Sequence, residues 1–223
     1  SDIDRVTGQR LYNEFGLTKP MNWAAGFLQP TVKYRSVKYE LDRPFSDVET
    51  SPSAGSLMAS VDGGLIFERQ TRLFGQSMTQ TLEPRVYYLY SQFEEQAFQP
   101  DFDSAELTFS YGQLFRDTRF SGNDRLDDAN QLSVGVTSRY FDNETGEEKL
   151  SASLGQIYYF RDREVRLNAF DPVLAENTSP LAGEFSWSPS QKWKFRASAL
   201  YDTNDNTFDA ASAQATYFPW SGA

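Results

Sequence analysis

The 223 residues contain neither cysteine nor histidine. Without cysteine the chain has no disulfide framework and no zinc–thiolate site. Without histidine, Ser-His-Asp hydrolysis, imidazole acid–base chemistry and His-ligated metals all fall away, which removes most enzyme classes. Positive charge is also scarce. The 21 Lys and Arg against 31 Asp and Glu leave a net charge of −10, the wrong sign for neutralising nucleic-acid phosphates. No apolar run approaches the ~20 residues of a membrane-spanning helix. The opening SDIDRVTGQR has neither the basic nor the apolar region of a signal peptide.

What the chain does have is aromatic side chains, 18 Phe and 12 Tyr, far more than a disordered polar sequence carries, so a fold is expected. The period of its apolar residues is two. Leu150, Ala152, Leu154, Tyr158 and Phe160 alternate with Ser151, Ser153, Gly155 and Tyr159. The same alternation runs through Trp193, Phe195, Ala197, Ala199 and Tyr201, through Leu132, Val134, Val136 and Tyr140, and through Leu82, Pro84, Val86, Tyr88 and Tyr90. Leu57, Ala59, Val61, Leu65 and Phe67 form a further such face. In PTVKYRSVKYEL the apolar set slips phase near Arg35 and Ser36, which reads as a β-bulge.

GLTKPMN, GQSM, NETGEEK and SPSQ read as short turns, whereas the stretches from Arg43 to Gly55, Gln96 to Asn130 and Arg163 to Pro180 are long, polar and irregular. Long and short connections then lie at opposite ends of the strands. The fold class expected is all-β: an antiparallel up-and-down transmembrane β-barrel, present as an incomplete set of about nine strands. A soluble sandwich or lipocalin-like barrel also alternates, but its apolar face turns inward and its strands run to about five or six residues. Aromatics near strand ends, as in YYLY, IYYF and TYFPW, suit interfacial girdles instead.

On this reading Leu82, Val86, Leu132, Val134, Trp193 and Phe195 face lipid, and Glu83, Arg85, Arg139, Lys194 and Arg196 face the lumen. Charge on the lipid side would cost about 2–4 kcal/mol at the midplane. Pro30 and Pro84 fall inside expected strands, where each removes a ladder hydrogen bond, and read as edge or bulge positions or as a locally weakened seam. The acidic runs Asp124–Asp128 and Asp202–Thr207 lack the spacing of a calcium loop and read as solvated turns.

Three segments, TQTLEPRVYYLY, GQLFRDTRFSGNDRLDDANQLSVGVTSRY and LSASLGQIYYF, resemble in this order the LptD family of LPS-assembly outer-membrane proteins, most strongly from Phe67 to Phe160. The resemblance implies a barrel that inserts lipopolysaccharide into the outer leaflet of the outer membrane of a Gram-negative bacterium. It also implies an LptE-type lipoprotein plug in the lumen, lipopolysaccharide and membrane lipids as partners, and delivery from a periplasmic Lpt bridge through an N-terminal jelly-roll domain. The chain departs from the family in lacking the cysteines of its disulfides, its jelly roll and many of its strands. Residues 1–223 are therefore expected to be part of one barrel domain, with terminal strands that do not close on each other.

No cofactor, metal or catalytic residue is implied, and a passive diffusion porin is the alternative function. On the resemblance the stretch from Gln96 to Asn130 becomes a lumen-capping loop with Leu114, Phe115, Arg116, Asp117, Phe120, Asp124 and Arg125 as its candidate residues, the alternative being a charged, passive surface connection. Arg116 or Arg125 is expected to pair with a loop aspartate, and Phe115 or Phe120 to be shielded.

Overall fold

The computed structural model describes residues 6–42, 50–73 and 75–219. Its strands are β1 (Gly8–Thr18), β2 (Met21–Trp23), β3 (Gly26–Leu41), β4 (Ser53–Leu65), β5 (Phe67–Leu73), β6 (Gln76–Ser91), β7 (Ala105–Glu106), β8 (Phe120–Ser121), β9 (Ala129–Asp142), β10 (Glu148–Tyr159), β11 (Leu181–Ser190), β12 (Trp193–Asp202) and β13 (Thr207–Tyr217). One short 3-10 helix, Tyr111–Phe115, lies between β7 and β8. All strands except β7 and β8 form one antiparallel sheet in the order β1-β3-β4-β6-β9-β10-β11-β12-β13. β1 and β13 end that path and do not pair with each other, so the sheet is open.

β2 prolongs β1 in the same register along β3 (Thr18 opposite Thr31, Met21 opposite Leu28). β5 likewise prolongs β4 along β6 (Gly64 opposite Arg85, Phe67 opposite Leu82). Each interruption faces a proline. Lys19 donates its N–H to the Pro30 carbonyl at 3.0 Å, and Pro30 has no N–H to return. The second break, at Ile66, lies beside Pro84. Both prolines sit in interior strands with register unbroken on the other side, Pro30 opposite Val61 and Pro84 opposite Val136, and not at an edge or bulge.

Two more expectations fail here. GLTKPMN is strand almost throughout, and the reversal comes at Ala24–Ala25. The phase slip in β3 is no bulge either, since its register with β1 and β4 runs unbroken through Arg35 and Ser36. What changes along β3 is the environment of its two faces. Val32 and Tyr34 are exposed on one face, whereas farther along Val37 and Tyr39 are buried on the other and leave Lys38 and Glu40 exposed.

The sheet therefore has an open face and a covered face. The open face carries Pro30, Val61, Tyr88, Leu132 and Tyr158 side by side across five strands, with Val86 and Val134 paired in an adjacent row. An exposed apolar surface this continuous is unusual on a water-soluble monomer. The opposite face carries the polar residues, and the segments 92–128 and 160–180 fold back over it at the end away from the short turns. Of the long connection expected between Arg43 and Gly55, residues 43–49 lie outside the described residues.

Packing of the longer segment depends on side chains the strands omit. Gly135 of β9 and Gly155 of β10 are paired neighbours on the covered face. A Cβ on Gly155 would come within 2.6 Å of the Leu114 side chain, and one on Gly135 within 2.8 Å of Phe115. Ala182, paired with Gly155, completes a low floor on which Leu114 is fully buried. Overpacking a filled contact costs about 1–3 kcal/mol. A Cβ on Gly135 meets only loop side chains, so Gly135→Leu should unseat the 3-10 helix while strand pairing survives. Limited proteolysis should reveal new cleavage between residues 108 and 119, with the β-sheet circular dichroism unchanged.

Candidate functional site

The run Asp124–Asp128, expected as a solvated turn, is the most buried segment of the long loop. Asp124 is 0%, Asp128 1%, Asp127 3% and Arg125 6% exposed, with Leu126 packed on Val37 and Tyr39. Burying three carboxylates is costly unless each is hydrogen-bonded or paired, and each is.

Asp124 gathers the loop and two strands. Its Oδ2 accepts the backbone N–H groups of Phe102 and Asp103, each at 2.9 Å, and its Oδ1 accepts Arg10 of β1 at 2.6 Å and the Tyr39 hydroxyl of β3 at 2.8 Å. Burial by itself would raise its pKa. The Asp103 N–H, the Arg10 guanidinium, the Tyr39 hydroxyl and the Phe102 N–H outweigh that effect and hold the carboxyl well below the usual carboxylate range.

Asp127 accepts Arg119 at 2.8 Å and the Arg119 backbone N–H at 2.6 Å. Here burial prevails over Arg119, and the carboxyl is pushed up. Asp128 reaches into segment 160–180, where it accepts the N–H groups of Glu164 at 3.1 Å and Val165 at 2.9 Å and pairs with Arg161 at 3.2 Å.

Arg125 pairs with no aspartate among the described residues. Its guanidinium donates to the carbonyls of Gln99, Pro100, Asp124, Arg166 and Leu167, at 2.7 to 3.2 Å, and so stitches the two long segments together. Arg116 is exposed and makes no ion pair with a described residue. The expected pairing of Arg116 or Arg125 with a loop aspartate is therefore replaced by Arg119 within the loop and by Arg10, Lys33 and Arg161 from outside it. Asp117 takes Lys33 at 2.9 Å. The loop is tied mainly to its surroundings and only partly to itself.

The aromatic expectations fall closer. Phe120 is buried under the Arg119 guanidinium, 5.0 Å from the ring centroid. Phe115 is half-buried, edge-on to Tyr111, with Arg85 stacked 4.1 Å over its ring. Leu114 sits on the glycine floor.

On the strands, Glu83, Arg85, Arg139, Lys194 and Arg196 all lie on the covered face, opposite to Leu82, Val86, Leu132, Val134, Trp193 and Phe195. Arg85 clasps Asp62 through two hydrogen bonds of 2.9 and 2.6 Å, and Arg139 bridges Glu83 at 3.2 Å and Glu148 at 2.9 Å. Lys194 and Arg196 lie beyond the loop's footprint and make no ion pair with a described residue. Among the described residues no cluster of acidic side chains forms a metal site. In the run from Asp202 to Thr207, Asp202 caps the turn through the Asn204 N–H at 2.6 Å.

Arg10, Tyr39, Arg161 and Arg119 are the anchoring residues that pattern reading does not single out. The available signal was the phase inversion in β3, which marks where the covered face turns apolar to receive Leu126.

A family model described as "LptD: LPS transport system D" matches residues 1–222. The chain belongs to the LptD family. It is similar to the LPS-assembly protein LptD of Ectopseudomonas mendocina, at 38% identity over 97% of this chain and 25% of that protein. It is also similar to that of Hahella chejuensis, at 39% over 89% and 25%, and that of Xanthomonas campestris pv. campestris, at 39% over 95% and 28%. The chain thus spans about a quarter of the length of these LptD relatives.

Removing one partner of a buried, hydrogen-bonded charge pair costs about 3–5 kcal/mol, and removing the donor of buried carbonyls, as at Arg125, leaves each unsatisfied at about 1–3 kcal/mol. Asp124→Ala and Arg125→Ala should each release segment 92–128, whereas Arg116→Ala should leave it seated, as read by protease resistance of the full-length protein. The depressed pKa of Asp124 fixes the sign of its pH response. Its contribution is fully present above the ordinary carboxylate value of about 3.9 and is lost only as pH falls through its lower folded value. Protease resistance should therefore persist when the pH is lowered from 7 to about 4.

Proposed function

We propose that this chain is a wall segment of an outer-membrane β-barrel that assembles lipopolysaccharide into the outer leaflet, and that segments 92–128 and 160–180 cap the barrel interior. The observation that carries this reading is the family match over residues 1–222. The relatives are named LPS-assembly proteins, which supports a role for this chain in transport and assembly.

The two faces support it. A continuous apolar face suits acyl chains, whereas Glu83, Arg85 and Arg139 would each be costly there and belong against a wet interior. The inversion in β3 supports a boundary. Where Lys38 and Glu40 take over the open face, contact with hydrocarbon ends, and on the reverse side the loop core begins. Ion pairs and backbone hydrogen bonds then hold the cap without need of a catalytic group.

Beyond the cap, the covered face of β10 to β13 presents small polar residues: Ser151, Ser153, Ser186, Ser198 and Ser212. This surface suits a lumen-filling partner of the LptE lipoprotein type. Delivery from the periplasmic Lpt bridge would engage parts of the full-length protein outside this chain.

Depletion of the full-length protein should stop newly made lipopolysaccharide from reaching the cell surface, and continued arrival would overturn the transport reading. The cap has its own test. Asp124→Ala combined with Asp128→Ala should sensitise cells severalfold to large antibiotics at unchanged barrel abundance. The capped wild-type barrel should be nearly silent in a planar bilayer, where large ohmic steps would favour a porin.

A further inference from the structure

At the end of the sheet where the short turns lie, β10 and β11 pair as far as Leu150 opposite Trp187 and no farther. Two irregularities meet at that point. Lys149 is an extra residue in β10, between Glu148 opposite Phe141 and Leu150 opposite Tyr140, and β11 shifts its register on β12 between Trp187 and Ser190. Pro189, inside the shift, has no N–H to give a neighbouring strand. Bulges of this kind re-aim side chains and end pairing. They leave a cavity of about 210 Å³, lined among others by Leu73, Met78, Lys149, Leu150, Trp187 and Ser188.

This notch belongs to the open, apolar face. Met78 shares its side of β6 with Leu82, and Leu150, Trp187 and Phe195 stand opposite one another across three strands. An aromatic row leads from the notch toward the edge of the sheet. Trp187 stacks on Phe195 at 5.4 Å between ring centroids, Phe195 on Trp193 at 5.8 Å, and Trp193 meets Tyr217 at 4.8 Å. Trp and Tyr collect where hydrocarbon gives way to water. The notch therefore lies at the level where lipid headgroups begin.

Its charge is of both signs. Lys149 Nζ pairs with Glu147 at 2.6 Å, and neither group is sealed off, the Lys149 side chain being 18% and the Glu147 side chain 47% exposed. A bare anion beside Lys149 would be repelled by Glu147, and a bare cation beside Glu147 by Lys149, whereas a zwitterion satisfies both. Size narrows the occupant further. At about 210 Å³ the notch is smaller than the ~300–1,000 Å³ of pockets that enclose a drug-sized molecule. It admits a headgroup and leaves the acyl chains outside, on the open face.

We propose that the notch seats a zwitterionic glycerophospholipid bearing a primary ammonium, with its phosphate on Lys149 and Ser188 and its ammonium on Glu147. The inference rests on the barrel reading, because it needs the open face in contact with lipid.

The test is tryptophan fluorescence of the purified protein reconstituted in phosphatidylcholine vesicles, to which a minor share of phosphatidylethanolamine with brominated acyl chains is added. Bromine quenches a tryptophan only at close range. Brominated phosphatidylcholine, which has no N–H to donate to Glu147, and brominated phosphatidylglycerol, which has no cation, are the comparisons. The phosphatidylethanolamine probe should quench at a roughly fivefold lower mole fraction than either, the upper end of what one partly exposed ion contact supplies. Trp187→Phe should remove that selective component and keep the remainder. Glu147→Gln should abolish the preference, and Lys149→Gln should raise the share of probe required by about as much; if one variant does not fold, the other decides. Equal quenching by the three lipids, stronger quenching by phosphatidylglycerol, or a preference indifferent to these substitutions overturns the headgroup site and leaves the barrel reading in place. Absence of quenching by any brominated lipid overturns the barrel reading itself, and the site with it.

Discussion

The Asp124 carboxylate is the point on which the covered face depends. A long polar segment gains little by lying on a polar sheet, since every hydrogen bond it forms replaces one to water. It stays there because one buried carboxylate receives donors from the loop's own backbone and from two strands at once. Each donor satisfies a charge that would otherwise be stranded, so no member of the set is dispensable to the others. Asp128 and Arg125 extend the same logic to the second segment, and the apolar contacts of Leu126 and Leu114 follow from the geometry these groups impose.

The arrangement separates two tasks within single strands. In β6, Leu82, Val86, Tyr88 and Tyr90 serve the open face, while Glu83, Arg85, Tyr87 and Leu89 serve the covered one. Toward the short turns the covered side of this strand is charged, and toward the loop end it is apolar, because Tyr87 and Leu89 pack with Met58, Ala129 and Phe115. The strand is thus written in three environments: apolar open face, charged covered face and dry core beneath segment 92–128.

Strand content, the antiparallel order and the placement of charged and apolar residues on opposite faces were legible in the sequence, because period-two alternation is a local signal. Sequence reading misjudged β3 for a reason that is itself physical. It assumed one apolar face throughout, whereas Val32 and Val37 are apolar for opposite faces. It misjudged Pro30 and Pro84 as edge or bulge positions because a missing N–H was expected to require one, when a gap of one or two residues in a long ladder suffices. Composition could not show which arginine meets which aspartate. Arg10 and Asp124 are 114 positions apart, and only the register of β1 on β3 brings them together. The fate of Arg125, bound to carbonyls, left no trace in the charge pattern, since backbone acceptors are present at every residue.

The glycine pair under Leu114 and the reach of Asp124 to β1 carry a consequence for the order of assembly. Segment 92–128 touches strands that precede it in the chain, β1 and β3, and strands that follow it, β9 and β10. Its full set of contacts cannot form until synthesis and pairing have passed beyond it on both sides. Until then the segment is a tethered chain above the sheet, with its buried-to-be carboxylates still hydrated. Closure entropy for a connection of this length grows only slowly with size, so waiting carries little penalty. The covered face of the nascent sheet therefore stays accessible while its strands register, and segment 92–128 is a late addition: it seats only on a sheet whose neighbouring strands are already aligned.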